Sequence, residues 1–145
     1  MNVKHFALVA GIVYLAVGIL GFVPGALRPP PADAPPLQVD GWHGLLFGLF
    51  PVNILHTLVH LAVGVWGVIA YRWWEASRTY AMSVAVVFGV LTILGLIPGL
   101  RTLFGLVPLY GHDIWLHALT ALVAAYFATR GRGEEAARER LRRAA

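Results

Sequence analysis

The sequence predicts an all-α integral membrane protein, with four transmembrane helices arranged as two parallel helix-hairpin repeats. Three observations predict it. Hydrophobic residues make up 59% of the chain and charged residues only 12%, and the mean hydropathy of +0.73 lies outside the soluble globular range. Four apolar runs, near 6–23, 53–71, 79–97 and 114–129, each hold the roughly 16–20 residues that cross a hydrocarbon core about 30 Å thick. The second half of the chain also repeats the punctuation of the first. No alternation of polar and apolar residues supports a barrel, which leaves a helical bundle.

Charge sets the orientation. If all four runs span, Lys4, Arg72, Arg78 and the arginines from Arg130 onward fall on one side. Arg28 and Arg101 fall on the other, with Asp33, Asp40 and Asp113. The cation excess predicts cytoplasmic N and C termini. Tyr71, Trp73, Trp74 and Tyr80 mark the inner interface, and Trp42, Tyr110 and Trp115 the outer one. The net charge of +4 owes most to the tail at 131–145, where arginines alternate with glutamates. Beside a spanning helix, such a segment is first a topology signal and then a contact for anionic lipid headgroups. Membrane lipids are therefore the expected partners and nucleic acid is not; homo-oligomerisation stays open. The chain has no cysteine, which excludes disulfide relays, thiolate metal sites and haem attached through Cys-x-x-Cys-His.

Read in order, the first run follows Lys4 and His5 like a secretory signal. It ends at Val23-Pro24-Gly25-Ala26 with no small-x-small cleavage site, and it has a relative downstream. Gly21-Phe22-Val23-Pro24-Gly25 returns as Gly95-Leu96-Ile97-Pro98-Gly99, with Ala7 and Gly11 matched by Ala81 and Ala85. In a second register, Leu46-Phe47-Gly48-Leu49-Phe50-Pro51 returns as Leu103-Phe104-Gly105-Leu106-Val107-Pro108. Continued without a gap, that register lays His60 on His117, His56 on Asp113 and Asn53 on Tyr110.

The change of register falls in the first outer loop, 26–42. Its run from Arg28 through Pro36 predicts extended polyproline II rather than folded structure. One membrane domain is expected over 1–130, with repeats over 5–72 and 78–130 and a basic cytoplasmic tail over 131–145. Each repeat reads as helix, Pro-Gly stop, outer loop, a short Leu-Phe-Gly-Leu segment at the outer interface, and helix. Two spans per repeat give both copies one orientation, so a pseudo-two-fold axis runs along the membrane normal. Ala7/Gly11 and Ala81/Ala85/Gly89 keep four-residue spacing and permit close helix contact.

The chemistry lies in the even-numbered runs. His56 and His60 stand one turn apart on one helix face, and Asp113 and His117 repeat the arrangement. If the two faces meet, His56, His60, Asp113 and His117 form a ligand set for Zn, Fe or Cu. Asn53, His112 and His43 are candidates for supporting or outer positions. Polar groups in a span are costly, which marks these residues as functional candidates. An alternative is a haem- or quinone-binding electron-transfer protein in which His60 and His117 hold the cofactor. Haem is less favoured than a metal ion, because two histidines on one face of one helix cannot both be axial ligands. A third reading is a structural or lipid-interacting protein. Its histidines would only bond across helices to Asn53, Asp113 or backbone carbonyls, for about 1 kcal/mol each, with Asn53 and Asp113 as N-caps.

His5 reads as an interfacial residue, Trp66 as packing, and Ser83 and Thr92 as bonded to their own helices. No catalytic residue is predicted. Ser77 and Ser83 lie in the half away from the histidines, and the chain has no P-loop, no carboxylate pair within a span and too few histidines for a diiron oxygenase. The balance leans away from an enzyme.

The run at 6–25, the Asn53-x-x-His56-x-x-x-His60-Leu61 core and the Asp113-x-Trp115-Leu116-His117 core resemble the small bacterial four-helix membrane proteins of domain-of-unknown-function family 4383. The resemblance covers the chain apart from the proline-rich loop and the basic tail. It implies a four-span protein, which places this chain in the bacterial inner membrane, and it supplies no activity. Function therefore rests on the histidines.

Overall fold

The computed structural model describes residues 2–144. Helix α1 (Val3–Leu20) starts where the Asn2 side chain accepts a hydrogen bond from the His5 N–H at 3.1 Å. Such a cap satisfies one of the backbone donors that a helix start leaves unpaired. The helix stops at Gly21, just before a 3-10 turn over Pro24–Ala26. Helix α2 (Ile54–Ala70) begins in the same manner, with Asn53 accepting from the His56 N–H at 2.9 Å.

Helix α3 (Trp74–Leu96) follows after a turn that Ser77 holds tight, its hydroxyl donating to the carbonyls of Ala70 at 2.8 Å and Trp73 at 3.0 Å. Lys4 pins the start of α1 to that turn by donating to the Arg72 carbonyl at 3.3 Å. Helix α3 ends before a second 3-10 turn, Pro98–Leu100, and helix α4 runs from His112 to Ala144, so the apolar run passes without a break into the basic segment.

The chain is thus mostly helical, with four helices. By length and composition, α1 and α3 are long and apolar enough to cross a membrane, while α2 is a shorter apolar helix of 17 residues. Helix α1 packs chiefly on α2 and α3 chiefly on α4, and a contact between α1 and α3 joins the pairs. Between them lies a core built on Phe6, Tyr14, Tyr80, Phe88 and Phe127. The Phe6 and Phe127 rings stack at 5.1 Å, and Tyr14 meets Phe88 at 5.3 Å. The α1–α2 contact is backbone on backbone. A Cβ on Gly64 would lie 2.6 Å from the Leu15 nitrogen, and one on Gly11 2.7 Å from the Val68 nitrogen. Only glycine fits at either position.

One correction concerns the first outer loop, which folds in part. Strands β1 (Leu27–Arg28), β2 (Gly44–Leu46) and β3 (Phe50–Val52) form a small antiparallel sheet in that order. Leu27 pairs with Leu46, and Gly44 pairs with Val52. The physical reason is the turn between β2 and β3, where Phe47 (φ 55°) and Gly48 (φ 75°) enter the left-handed region and reverse the chain. The strictly all-α expectation missed it because the strands are three residues or fewer and carry no visible alternation. In the second half, Phe104 (φ 59°) and Gly105 (φ 86°) take the same conformation, yet the chain around them forms turns.

Candidate metal centre

The site is assembled from the start of α2 outward. Asn53 is fully buried, and besides capping α2 it donates from Nδ2 to the carbonyls of Val39 at 2.8 Å and Leu106 at 2.7 Å. Its polar atoms are therefore engaged as a cap and as a clasp on both outer loops, and it is not a ligand. One turn later come His56 and His60, and α4 brings up His117. The three imidazoles are 3%, 5% and 1% exposed, and one nitrogen from each lies within 4.8 Å of the others. The ring centres of His56 and His60 are 4.4 Å apart, and those of His56 and His117 5.9 Å. Tyr14 flanks His60 at 5.4 Å, and Phe88 meets the His117 ring edge-on at 4.9 Å.

Asp113 is equally buried but stands apart from the converging nitrogens. Its Oδ2 lies 3.4 Å from His117 Nε2, one helical turn away. Of the four residues that the sequence put forward, three converge and the fourth backs one of them. Asp113 lies in the first turn of α4 rather than ahead of it.

The hydrogen bonds around these rings are incomplete. Nδ1 of His56, Nδ1 of His60, both ring nitrogens of His117 and Oδ2 of Asp113 are buried with no hydrogen-bond partner. Each such orphan costs about 1–3 kcal/mol, and native proteins rarely leave one without a reason. Side-chain ties to Asn53 do not account for these atoms, because its amide is spent on the α2 cap and the two loop carbonyls.

Neither outer histidine joins the cluster. His43 Nε2 bonds the Tyr110 hydroxyl at 3.0 Å, joining the two outer loops. Burial lowers the His43 pKa against an opposing pull from Asp40, and burial raises that of Tyr110. His112 is exposed, with its ring edge-on to Phe50 at 6.5 Å. His5 is exposed at the far end of α1, bonded to Asn2 and 6.2 Å from the Tyr71 ring.

Three imidazoles suit borderline cations such as Zn²⁺. Tetrahedral coordination at about 2.0–2.1 Å per Zn–N bond puts ligand nitrogens about 3.3 Å apart, so ring shifts of about 1 Å close the observed cluster around an ion. Sequence reasoning missed a cavity of about 450 Å³ between α1 and α4, whose lining includes His60 and Asp113. No local pattern signals it, because it exists only where two helices distant in sequence diverge.

No curated protein and no solved structure matches this chain. A family model does, over residues 4–129, a span that takes in the first three helices, the apolar part of α4 and every member of the histidine cluster. The chain belongs to the family described as Domain of unknown function (DUF4383).

Proposed function

We propose that this protein is a small integral membrane protein that binds a transition-metal ion, Zn, Fe or Cu, through His56, His60 and His117. Asp113 lies behind His117, its Oδ2 3.4 Å from Nε2, where on metal binding it would take up the Nε2–H and leave Nδ1 its lone pair, as carboxylates behind ligating histidines do. The observation that carries this reading is the convergence of three buried imidazole nitrogens within 4.8 Å. A macrocycle inserted between His60 and His117 would displace His56, so an ion fits the cluster better than haem. Three histidines leave a fourth position open for water or another ligand.

The same reading takes all four helices as spans of the bacterial inner membrane, with both termini and the tail at 131–145 on the cytoplasmic side. Domain and repeat limits stay at 1–130, 5–72 and 78–130. Contacts that match under the two sequence registers support the pseudo-two-fold repeat. A Cβ on Gly21 would meet Thr57, and one on Gly95 would meet Ile114; Gly64 abuts Leu15 as Ala121 abuts Gly89. The left-handed Phe-Gly pairs at 47–48 and 104–105 correspond as well.

Titration of metal-free protein with Zn²⁺, followed by elemental analysis after gel filtration, tests the site. One retained ion per chain is expected, with none retained by His60→Ala. An equally folded wild type that retains no ion leaves the structural role instead. Because the chain lacks cysteine, Asp33→Cys and Glu75→Cys test the orientation by labelling intact cells. Labelling at 75 rather than 33 inverts the topology.

A further inference from the structure

We propose that the cavity between α1 and α4 binds a quinol or quinone, with its ring at His60 and Asp113 and its tail running along the two helices. This site adjoins the metal centre through His60 but does not require the ion. At about 450 Å³, the cavity falls within the ~300–1,000 Å³ of small-molecule sites. Its walls are apolar, with Val13 on α1, Leu116 and Leu119 on α4, and Phe50 of β3 at one end.

The polar groups define the head. Tyr14 donates its hydroxyl to Thr120 Oγ1 at 3.2 Å, so those two lining residues satisfy each other. His60 Nδ1 and Asp113 Oδ2 remain, buried and without partners. Among the described residues, no lysine or arginine lines the cavity. An anionic carboxylate or phosphate head would therefore be buried with no lysine or arginine of the wall to compensate it, which disfavours fatty acids and phospholipid headgroups. A neutral head fits: a hydroxyl can donate to the Asp113 carboxylate, and a carbonyl can accept from the imidazole. The Tyr14 and Phe50 side chains offer ring surface to a flat head. Val13 and Leu119 are about half exposed (51% and 60%), which leaves the long side of the cavity open for a tail.

The test uses full-length protein in nanodiscs, with and without chelator, and measures binding of decyl-benzoquinol by equilibrium dialysis. Saturable one-site binding is expected, with palmitate about tenfold weaker. Val13→Trp and Leu119→Trp each place bulk on an exposed wall, where the core is undisturbed. Both should weaken quinol binding about tenfold or more while metal content stays unchanged. Absence of saturable quinol binding, palmitate binding as tightly as the quinol, or undiminished binding by both tryptophan variants would overturn the proposal. Quinol binding by a chain that retains no metal supports the cavity and counts only against the metal centre.

Discussion

In the α1–α2 pair, Gly11 faces Gly64 and Gly67 so closely that a Cβ on any of them would meet backbone atoms within 3 Å. In the α3–α4 pair, the corresponding positions are Ala85, Ala121 and Ala124, and a Cβ on nearby Gly89 would find only the Ala121 methyl, at 4.0 Å. The outer ends differ in the same sense. The first pair enters α2 through a sheet and a fully bonded asparagine, whereas the second enters α4 through turns and Tyr110. The first half packs backbone on backbone and presents two imidazoles. The second packs through alanine methyls, presents one, and keeps a carboxylate behind it. Under the proposed function, the first half supplies two of the three imidazoles from one helix face and the second supplies the third together with the carboxylate behind it.

The largest effect expected from that difference is on metal binding. His56→Ala should abolish retention of Zn²⁺, while Asp113→Asn at the matching position should weaken it by about 10–100-fold. Equilibrium competition with a chromogenic chelator measures both; equal effects would make Asp113 a direct ligand.

Packing comes next. Gly64→Leu drives a side chain into the α1 backbone and should destabilise by about 3 kcal/mol, against about 1 kcal/mol for Ala121→Leu. Thermal unfolding in detergent compares them, and similar losses would erase the distinction between the two contacts.

Asn53→Ala should cost about 2 kcal/mol, because it removes a helix cap worth about 1 kcal/mol and leaves two loop carbonyls without their donor. Tyr110→Phe, at the corresponding position, removes only the bond to His43 and should cost under about 1 kcal/mol.

The smallest effect concerns pH. Burial holds the His43 pKa below its ordinary value of 6.5 in the folded chain, so the unfolded chain takes up the proton first. Stability from this group therefore falls as pH drops below about 6.5. His43→Phe should remove that part of the acid dependence, read as melting temperature against pH.

Much of the fold was legible in the residues. Hydropathy located four helices, Asn53 marks one of the starts, and the proline at each Pro-Gly step marks two of the stops; the Asn2 cap on α1 was not read. The sequence register that lays His60 on His117 suggested their convergence, which the structure has. Three things were not legible. The sheet depends on left-handed Phe47, a conformation that no propensity announces for an aromatic residue. The retreat of Asp113 from the cluster depends on side-chain direction rather than spacing. The cavity depends on where α1 and α4 diverge, which neither helix encodes alone.

X-ray absorption on zinc-loaded protein tests the central claim most directly. The account predicts one zinc per chain bound by three imidazole nitrogens at about 2.0–2.1 Å with one further oxygen ligand, and loss of that three-imidazole shell in His117→Ala. A shell of water-like oxygens alone, or an unchanged spectrum in that variant, would contradict it.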